Sequence, residues 1–165
     1  MRIALLSDTH GFVDPAIPDY LSECDEVWHA GDLGPDVLDR LKAIRPFRGV
    51  YGNIDGPDVR AELPEDLDWR CENVHVYMTH IGGHPGRYDK RAKREILARK
   101  PDLFICGHSH IPRIDRDPAL GLIHMNPGAC GHAGWHLKRT MLRFSIVGDR
   151  LTGVEVIELG PRGRR

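Results

Sequence analysis

The sequence predicts an α/β sandwich: two β-sheets with helices outside and polar loops gathered at one edge. Two observations predict it. Short apolar runs recur along the chain, each ending in a turn residue and then a polar side chain able to bind metal. Segments of helical period lie between some of these runs. At 165 residues the chain is sized for one domain, burying roughly two-thirds of its unfolded surface.

Five runs carry the pattern. Ile3–Leu6 leads into Ser7-Asp8-Thr9-His10-Gly11, Val27–Ala30 into Gly31-Asp32, and Arg48–Tyr51 into Gly52-Asn53. Val74–Thr79 leads into His80, and Leu103–Cys106 into Gly107-His108-Ser109-His110. Continuous apolar runs suit strands buried on both faces, as in a helix-covered sheet. Pro35 is placed to open a helix after Gly34, with Asp36 in its first turn and Val37, Leu38, Leu41 and Ile44 on one face. Arg87–Lys100 reads as a second helix, with Tyr88, Ala92, Ile96 and Leu97 inward and Pro101 just beyond its end. Its many Lys and Arg residues read as a solvated face. Farther on, Leu142, Phe144 and Ile146 alternate with Arg143 and Ser145, which predicts a strand with one wet face. Gly148-Asp149 then forms a hairpin turn into a strand over Leu151–Ile157. Residues 1–160 read as a single domain and 161–165 as a loose tail.

Basic and acidic residues number 23 and 24, so the charge balance gives no reason to expect nucleic acid or an anionic membrane as a partner. The run Ile3–Leu6 is too short for a signal-peptide core and no stretch approaches a membrane span, so the expected location is the cytoplasm. Cys24, Cys71, Cys106 and Cys130 form no C-x-x-C pair and are expected as small buried hydrophobes. Histidine is the unusual feature: there are ten, several beside aspartate or glycine.

In open α/β sheets, ligands bind beyond the carboxyl ends of the strands. Here five such ends carry Asp8 and His10, Asp32, Asn53, His80, and His108 with His110. Alone, Asp8, Asp32 or Asn53 reads as a cap or turn residue, and His80 as a hydrogen-bonded core histidine. Together they point to a metal centre. The D-x-H and H-x-H pairs imply convergence, since residues two apart on a strand share a face. Glycines 11, 31, 52, 82, 83 and 107 permit tight turns and close backbone approach. Mixed nitrogen and oxygen donors without cysteine suit manganese, iron, zinc or nickel rather than calcium. Seven ligands exceed one tetrahedral zinc and match two ions sharing a carboxylate.

Asp8-Thr9-His10, Gly31-Asp32, Gly52-Asn53, Thr79-His80 and Gly107-His108-Ser109-His110 resemble, in order and spacing, the calcineurin-like metallophosphoesterase superfamily. The compact length and the Asn126-Pro127-Gly128 turn resemble its small YfcE-type phosphodiesterases. The resemblance implies a four-layer α/β/β/α sandwich with two mixed β-sheets flanked by helices. It implies Asp8, His10 and His110 on one metal, Asn53, His80 and His108 on a second, and Asp32 bridging. Asn53 and His80 are then the candidate catalytic residues, with Asn53 also touching the phosphoryl group. The implied reaction is hydrolysis of small phosphodiesters, nucleotide-like ones among them, by a hydroxide bridging two divalent ions, with Mn2+ the first expectation. A phosphomonoesterase with the same site is the nearest alternative. The superfamily also includes a retromer coat subunit, so a protein-interaction scaffold is the alternative of another class.

The sequence departs from the family pattern in places. Gly52-Asn53 continues with Ile54-Asp55, where many members have a substrate-contacting histidine, and Asp55 is a weak substitute as a proton donor. His80 is followed by Ile81-Gly82-Gly83-His84, which leaves His84 as a possible substrate contact. His132, Trp135 and His136 read as a surface loop, or as a lid over the substrate. His29 is placed to orient a metal ligand.

Overall fold

The computed structural model describes residues 1–163. One sheet has the order β12-β11-β1-β2-β3, where β1 is Arg2–Leu6, β2 Glu26–His29, β3 Phe47–Gly49, β11 Lys138–Val147 and β12 Arg150–Pro161. The other has the order β4-β5-β8-β10-β9, where β4 is Asp66–Cys71, β5 Val74–Thr79, β8 Leu103–Ile105, β9 Pro112–Asp117 and β10 Leu122–Pro127. Both sheets are mixed. The strands β1, β2 and β3 run parallel, as do β5, β8 and β10, while β4, β9, β11 and β12 pair antiparallel to their neighbours. Three of the four parallel steps are crossed by α1 (Ile17–Ser22), α2 (Val37–Lys42) and α4 (Lys90–Arg99), the step from β8 to β10 passes through β9, and α3 (Pro57–Glu62) follows β3. The small hairpin β6 (Gly83–His84) and β7 (Arg87–Tyr88) precedes α4.

The layering follows from the side-chain alternation of strands buried on both faces. In β1, Ile3 and Leu5 face the second sheet, meeting Trp28, Val76, Met78, Leu103, Ile105, Met125 and Phe144 in the central core. Ala4 and Leu6 point the other way and pack with Ile17 and Leu21 of α1 and Leu38 and Leu41 of α2. On the second sheet, Tyr77 and Phe104 turn outward onto Ala92 and Ile96 of α4. Helices, sheet, sheet and helix therefore form the four layers.

Several expectations are corrected. The helix after Gly34 starts at Val37, because Asp36 is its N-cap with φ 62° and Pro35 lies before it. The second helix begins at Lys90, where the Asp89 carboxylate accepts from the Arg91 and Ala92 N–H groups. Arg87 and Tyr88 lie in β7 instead, and Leu97 is exposed rather than inward. The basic face of α4 is largely solvated as expected, with Lys90, Lys93 and Arg94 exposed, while Arg91 pairs with Asp66 and Arg99 with Asp68 and Glu95. The Gly148-Asp149 hairpin forms as expected, but β12 runs to Pro161, and Arg162 N–H donates to Leu137 O at 2.9 Å. The expected loose tail is thus tied down at its start, and residues 164–165 lie outside the described residues. All four cysteines are free and buried. Among the described residues, no helix is long and apolar enough to cross a membrane.

Candidate metal centre

The carboxyl ends of β1, β2, β3, β5 and β8 open on one edge of the sandwich. Backbone hydrogen bonds zip their loops together. Asp8 N–H donates to Gly31 O at 3.0 Å, His10 N–H to Asp32 O at 3.1 Å, Gly11 N–H to Leu33 O at 2.7 Å and Gly107 N–H to His80 O at 3.0 Å. Two groups of potential ligands result, Asp8 with His10 and His110, and Asp32 with His80 and His108. Within each, the ligand atoms lie within 4.8 Å of one another.

The groups face each other across the Asp32 carboxylate. Its Oδ1 is 3.3 Å from His80 Nε2, and its Oδ2 is 3.6 Å from His10 Nε2. Asp8 Oδ1 lies 3.1 Å from His110 Nε2 and 3.9 Å from both His10 Nε2 and His80 Nε2. Nitrogen and oxygen ligands about 2.0–2.2 Å from one ion stand about 3 Å apart along an edge of its coordination shell. Asp8 Oδ1, His10 Nε2 and His80 Nε2 are buried without a hydrogen-bond partner. Buried polar atoms are almost always satisfied, so three orphans converging on one spot fit a cation.

The outer atoms of the same side chains are fixed. Asp8 Oδ2 accepts from Ser7 Oγ at 2.7 Å and from His108 N–H at 3.0 Å, leaving Oδ1 for the centre. His80 Nδ1 donates to Ala30 O at 2.7 Å, which puts the ring proton on Nδ1 and turns the Nε2 lone pair inward. Burial weighs against a charge on His80, but the Asp32 and Asp8 carboxylates outweigh it and hold the imidazole above its ordinary value. The His10 and His108 rings are held below theirs by burial, reinforced for His108 by the neighbouring His80. Burial would raise the Asp32 carboxyl, yet the facing His80 imidazole brings it below the usual range.

The D-x-H and H-x-H pairs do not converge by sharing a strand face, the arrangement their spacing predicts. The strand β1 ends at Leu6 and β8 at Ile105, so neither pair sits on a strand. Asp8, His10, His108 and His110 all have positive φ, at 53°, 48°, 66° and 60°, and Asp32 has φ 57°. The pairs converge because the loops coil in the left-handed region. Two glycines show how tightly the backbone is drawn in. A Cβ on Gly52 would stand 2.1 Å from Asp32 Oδ1, and one on Gly107 2.0 Å from Ser7 Oγ.

Asn53 is exposed and lines, with His80, a cleft of about 350 Å³ beside the centre. His84 is turned within its hairpin toward Pro85 O, at 3.0 Å from Nδ1. His29 does couple two ligand loops. Its Nδ1 accepts from Gly31 N–H at 3.2 Å, so its proton sits on Nε2 and is given to Thr9 Oγ1 at 3.0 Å. Thr9 in turn donates to Leu33 O at 2.9 Å. Complete burial lowers the His29 pKa to about 4, keeping this relay neutral. His136 packs edge-on against His110 with ring centroids 5.2 Å apart, whereas His132 turns away onto Phe12. Trp135 between them is exposed.

Two positioning residues were missed by the sequence reading. Asp55 is buried with its carboxylate on backbone, accepting from Leu33 N–H at 3.2 Å, Gly34 N–H at 2.9 Å and Gly52 N–H at 2.7 Å. It ties the Asp32 loop to the Asn53 loop, with both carboxylate oxygens taken up by backbone donors. Asn126 donates to Gly107 O at 2.8 Å and accepts from Gly128 N–H at 2.9 Å, steadying the His108 loop. The Asn-Ile-Asp and Asn-Pro-Gly stretches were the available signals, since such side chains commonly bond nearby backbone in turns.

Solved structures share this architecture. Vps29 of Entamoeba histolytica complexed with zinc is 19% identical with TM-score 0.76, covering 97% of this chain and 100% of that one. Protein TM1076 of Thermotoga maritima is 28% identical with TM-score 0.70, covering 95% and 98%. An archaeal phosphodiesterase is 20% identical with TM-score 0.68, covering 95% and 100%. Comparison with curated proteins gives no match. The family model of the calcineurin-like phosphoesterase superfamily domain matches residues 1–149. The chain therefore belongs to the calcineurin-like phosphoesterase superfamily.

Proposed function

We propose that the protein hydrolyses small phosphodiesters at a centre of two divalent ions. The carrying observation is the Asp32 carboxylate, whose two oxygens face histidines of the two separate ligand groups. Asp8, His10 and His110 would hold one ion, and His80, His108 and Asn53 the other, with Asp32 shared. The donor set suits manganese, iron, zinc or nickel, and manganese is the first choice to test. Bound ions at such a centre supply Lewis acidity and a lowered water pKa.

The chain's own residues do the rest. Ser7, the His108 backbone and Ala30 fix the ligand side chains in advance, so little reorganisation is needed on loading. Asn53 lines the cleft together with His80, and its amide would donate to a phosphoryl oxygen bound there. No nucleophilic Ser or Cys is needed in this scheme, and the buried Cys106 and Cys130 thiols, pushed up to about 12 by burial, are unsuited to the role.

The experiment is elemental analysis and turnover of mono- and diesters by protein reconstituted with each ion. The Asp32→Ala variant should lose metal and activity together. Full metal occupancy with wild-type turnover in that variant would refute a shared carboxylate.

A further inference from the structure

The cleft beside the centre is lined by two arginines, one of which, Arg60, has no carboxylate within ion-pair distance among the described residues. Its walls include Asn53, His80, the bases Arg60 and Arg91 and the acids Glu65 and Asp89, and its volume of about 350 Å³ falls within the range of small-molecule sites. The two arginines are in opposite situations. Arg91 is paired with Asp66 and lies 3.4 Å from Glu65 Oε1, and its Nη1 donates to Thr79 Oγ1 at 3.3 Å. Arg60, at the exposed mouth, takes no carboxylate partner among the described residues. Its Nε donates to Asp55 O at 2.6 Å and its Nη2 to Gly52 O at 3.3 Å, while its guanidinium lies 4.4 Å over the Tyr51 ring.

These contacts orient the side chain without neutralising it. Two backbone carbonyls and an aromatic face hold the guanidinium plane, which reduces the rotamer entropy lost when a ligand binds. Among the described residues, the Nη1 end has no hydrogen-bond partner. The anchoring carbonyls belong to Gly52 and Asp55, either side of Asn53, so the charge is set on the loop that borders the centre. A charge-assisted hydrogen bond to an anionic oxygen is the chemistry such a group offers.

We propose that Arg60 makes the protein selective for esters bearing a second anionic group, phosphate or carboxylate, on the substituent that enters this cleft. The inference deepens the phosphodiesterase reading and rests on it for the word ester. Arg60 acts as a specificity residue, expressed in KM more than in kcat, because the second anion is bound in ground and transition states alike.

The test uses p-nitrophenyl phosphodiesters whose alkyl arm ends in phosphate, carboxylate or hydroxyl, with several spacer lengths. Wild type should favour an anionic arm over the hydroxyl arm in kcat/KM by roughly tenfold, the scale of one hydrogen bond to a charged group. Arg60→Gln should bring that ratio near one, and Arg60→Lys should keep part of it. Using the ratio removes any effect of Arg60 on the Gly52 loop, which would fall on all esters equally. The phosphate and carboxylate arms show which anion is preferred. Calorimetric binding of alkylphosphonates with and without a terminal carboxylate gives a second readout that needs no turnover. A wild-type ratio near one, or a preference that survives Arg60→Gln, overturns the proposal while leaving the hydrolytic reading in place. Absence of turnover with every ion, alongside an Arg60-dependent binding preference, overturns the hydrolytic reading and leaves the anion site standing.

Discussion

Removing one buried carboxylate that touches neither substrate nor metal should weaken the whole site. Asp55 accepts three backbone N–H groups, from Leu33, Gly34 and Gly52, which lie on the two loops carrying Asp32 and Asn53. In Asp55→Ala all three donors lose their acceptor at a buried position. A buried unsatisfied group costs about 1–3 kcal/mol, and water entering the space left by the carboxylate recovers part of that. The expected loss is about 3 kcal/mol, against a usual total of about 5–15 kcal/mol for a domain. At this chain length a loss of that size corresponds to a fall in Tm of roughly 6–12 °C. Urea unfolding in excess chelator is the assay, since bound ions would stabilise the native state by mass action and mask the effect. Asp55→Asn keeps one acceptor oxygen but sets an amide N–H₂ against a backbone donor, so it should recover only part of the loss. A loss below about 1 kcal/mol in Asp55→Ala would show that the loops hold their course without the carboxylate.

Other consequences are checked more simply. Burial lowers both His29 and His124 from 6.5 to about 4, so between those values the unfolded chain takes up protons that the folded chain does not. Stability should therefore fall as pH drops through that window and level off below it; His124→Gln should make the urea-measured slope shallower, and an unchanged slope would discount the buried ring. An added methyl at Gly107 would stand 2.0 Å from Ser7 Oγ, whereas one at Gly56 meets nothing within 4 Å. Gly107→Ala should thus lower Tm and metal content well beyond Gly56→Ala, and equal melting of the two would refute the close-approach argument. Ile54 is exposed and has no proton to give, so cleavage rates of substituted phenyl diesters should depend steeply on leaving-group pKa. General-acid help is worth about 10²–10⁴-fold, and a shallow slope would reveal a donor such as His84.

The parts of the fold legible in the sequence were those whose burial is symmetric. The strands β1, β2, β5 and β8 are apolar on both faces, which made them continuous runs ending at the site. The missed elements lack that signature. The helices α1 and α3 are no shorter than α2, but α1 buries only Ile17 and Leu21 and α3 buries no side chain, whereas α2 buries Val37, Leu38 and Leu41. The strands β4 and β9 lie at the two edges of one sheet and read Asp-Leu-Asp-Trp-Arg-Cys and Pro-Arg-Ile-Asp-Arg-Asp. Polar side chains on edge strands discourage pairing with other chains, and the same polarity makes the segment look like loop. The placement of Leu97 failed for a related reason: in a helix whose N-terminus is fixed by Asp89, only the Ala92–Ile96 stripe reaches the sheet.

The candidate ligands were legible for a chemical reason, and the backbone adds a second. Five of the six His and Asp candidate ligands lie at positive φ, a region costing L-residues about 1–3 kcal/mol where the structure enforces it. Five such residues together represent a cost comparable to the net stability of a domain. The hydrogen bonds that zip the loops, with the Asp55 and Asn126 side chains, are what can offset it. Outside glycine, Asp, Asn and His are the residue types that enter this region most readily. The side chains able to hold a cation are thus also those that tolerate the coil bringing two ligands of one short loop to a common point. His80, the one of the six outside the positive-φ region, directly follows β5, and its ring is set by the Ala30 carbonyl instead. In D-x-H and H-x-H, coordination chemistry and backbone demand select the same residues, which is why motifs of three residues carry so much of the site.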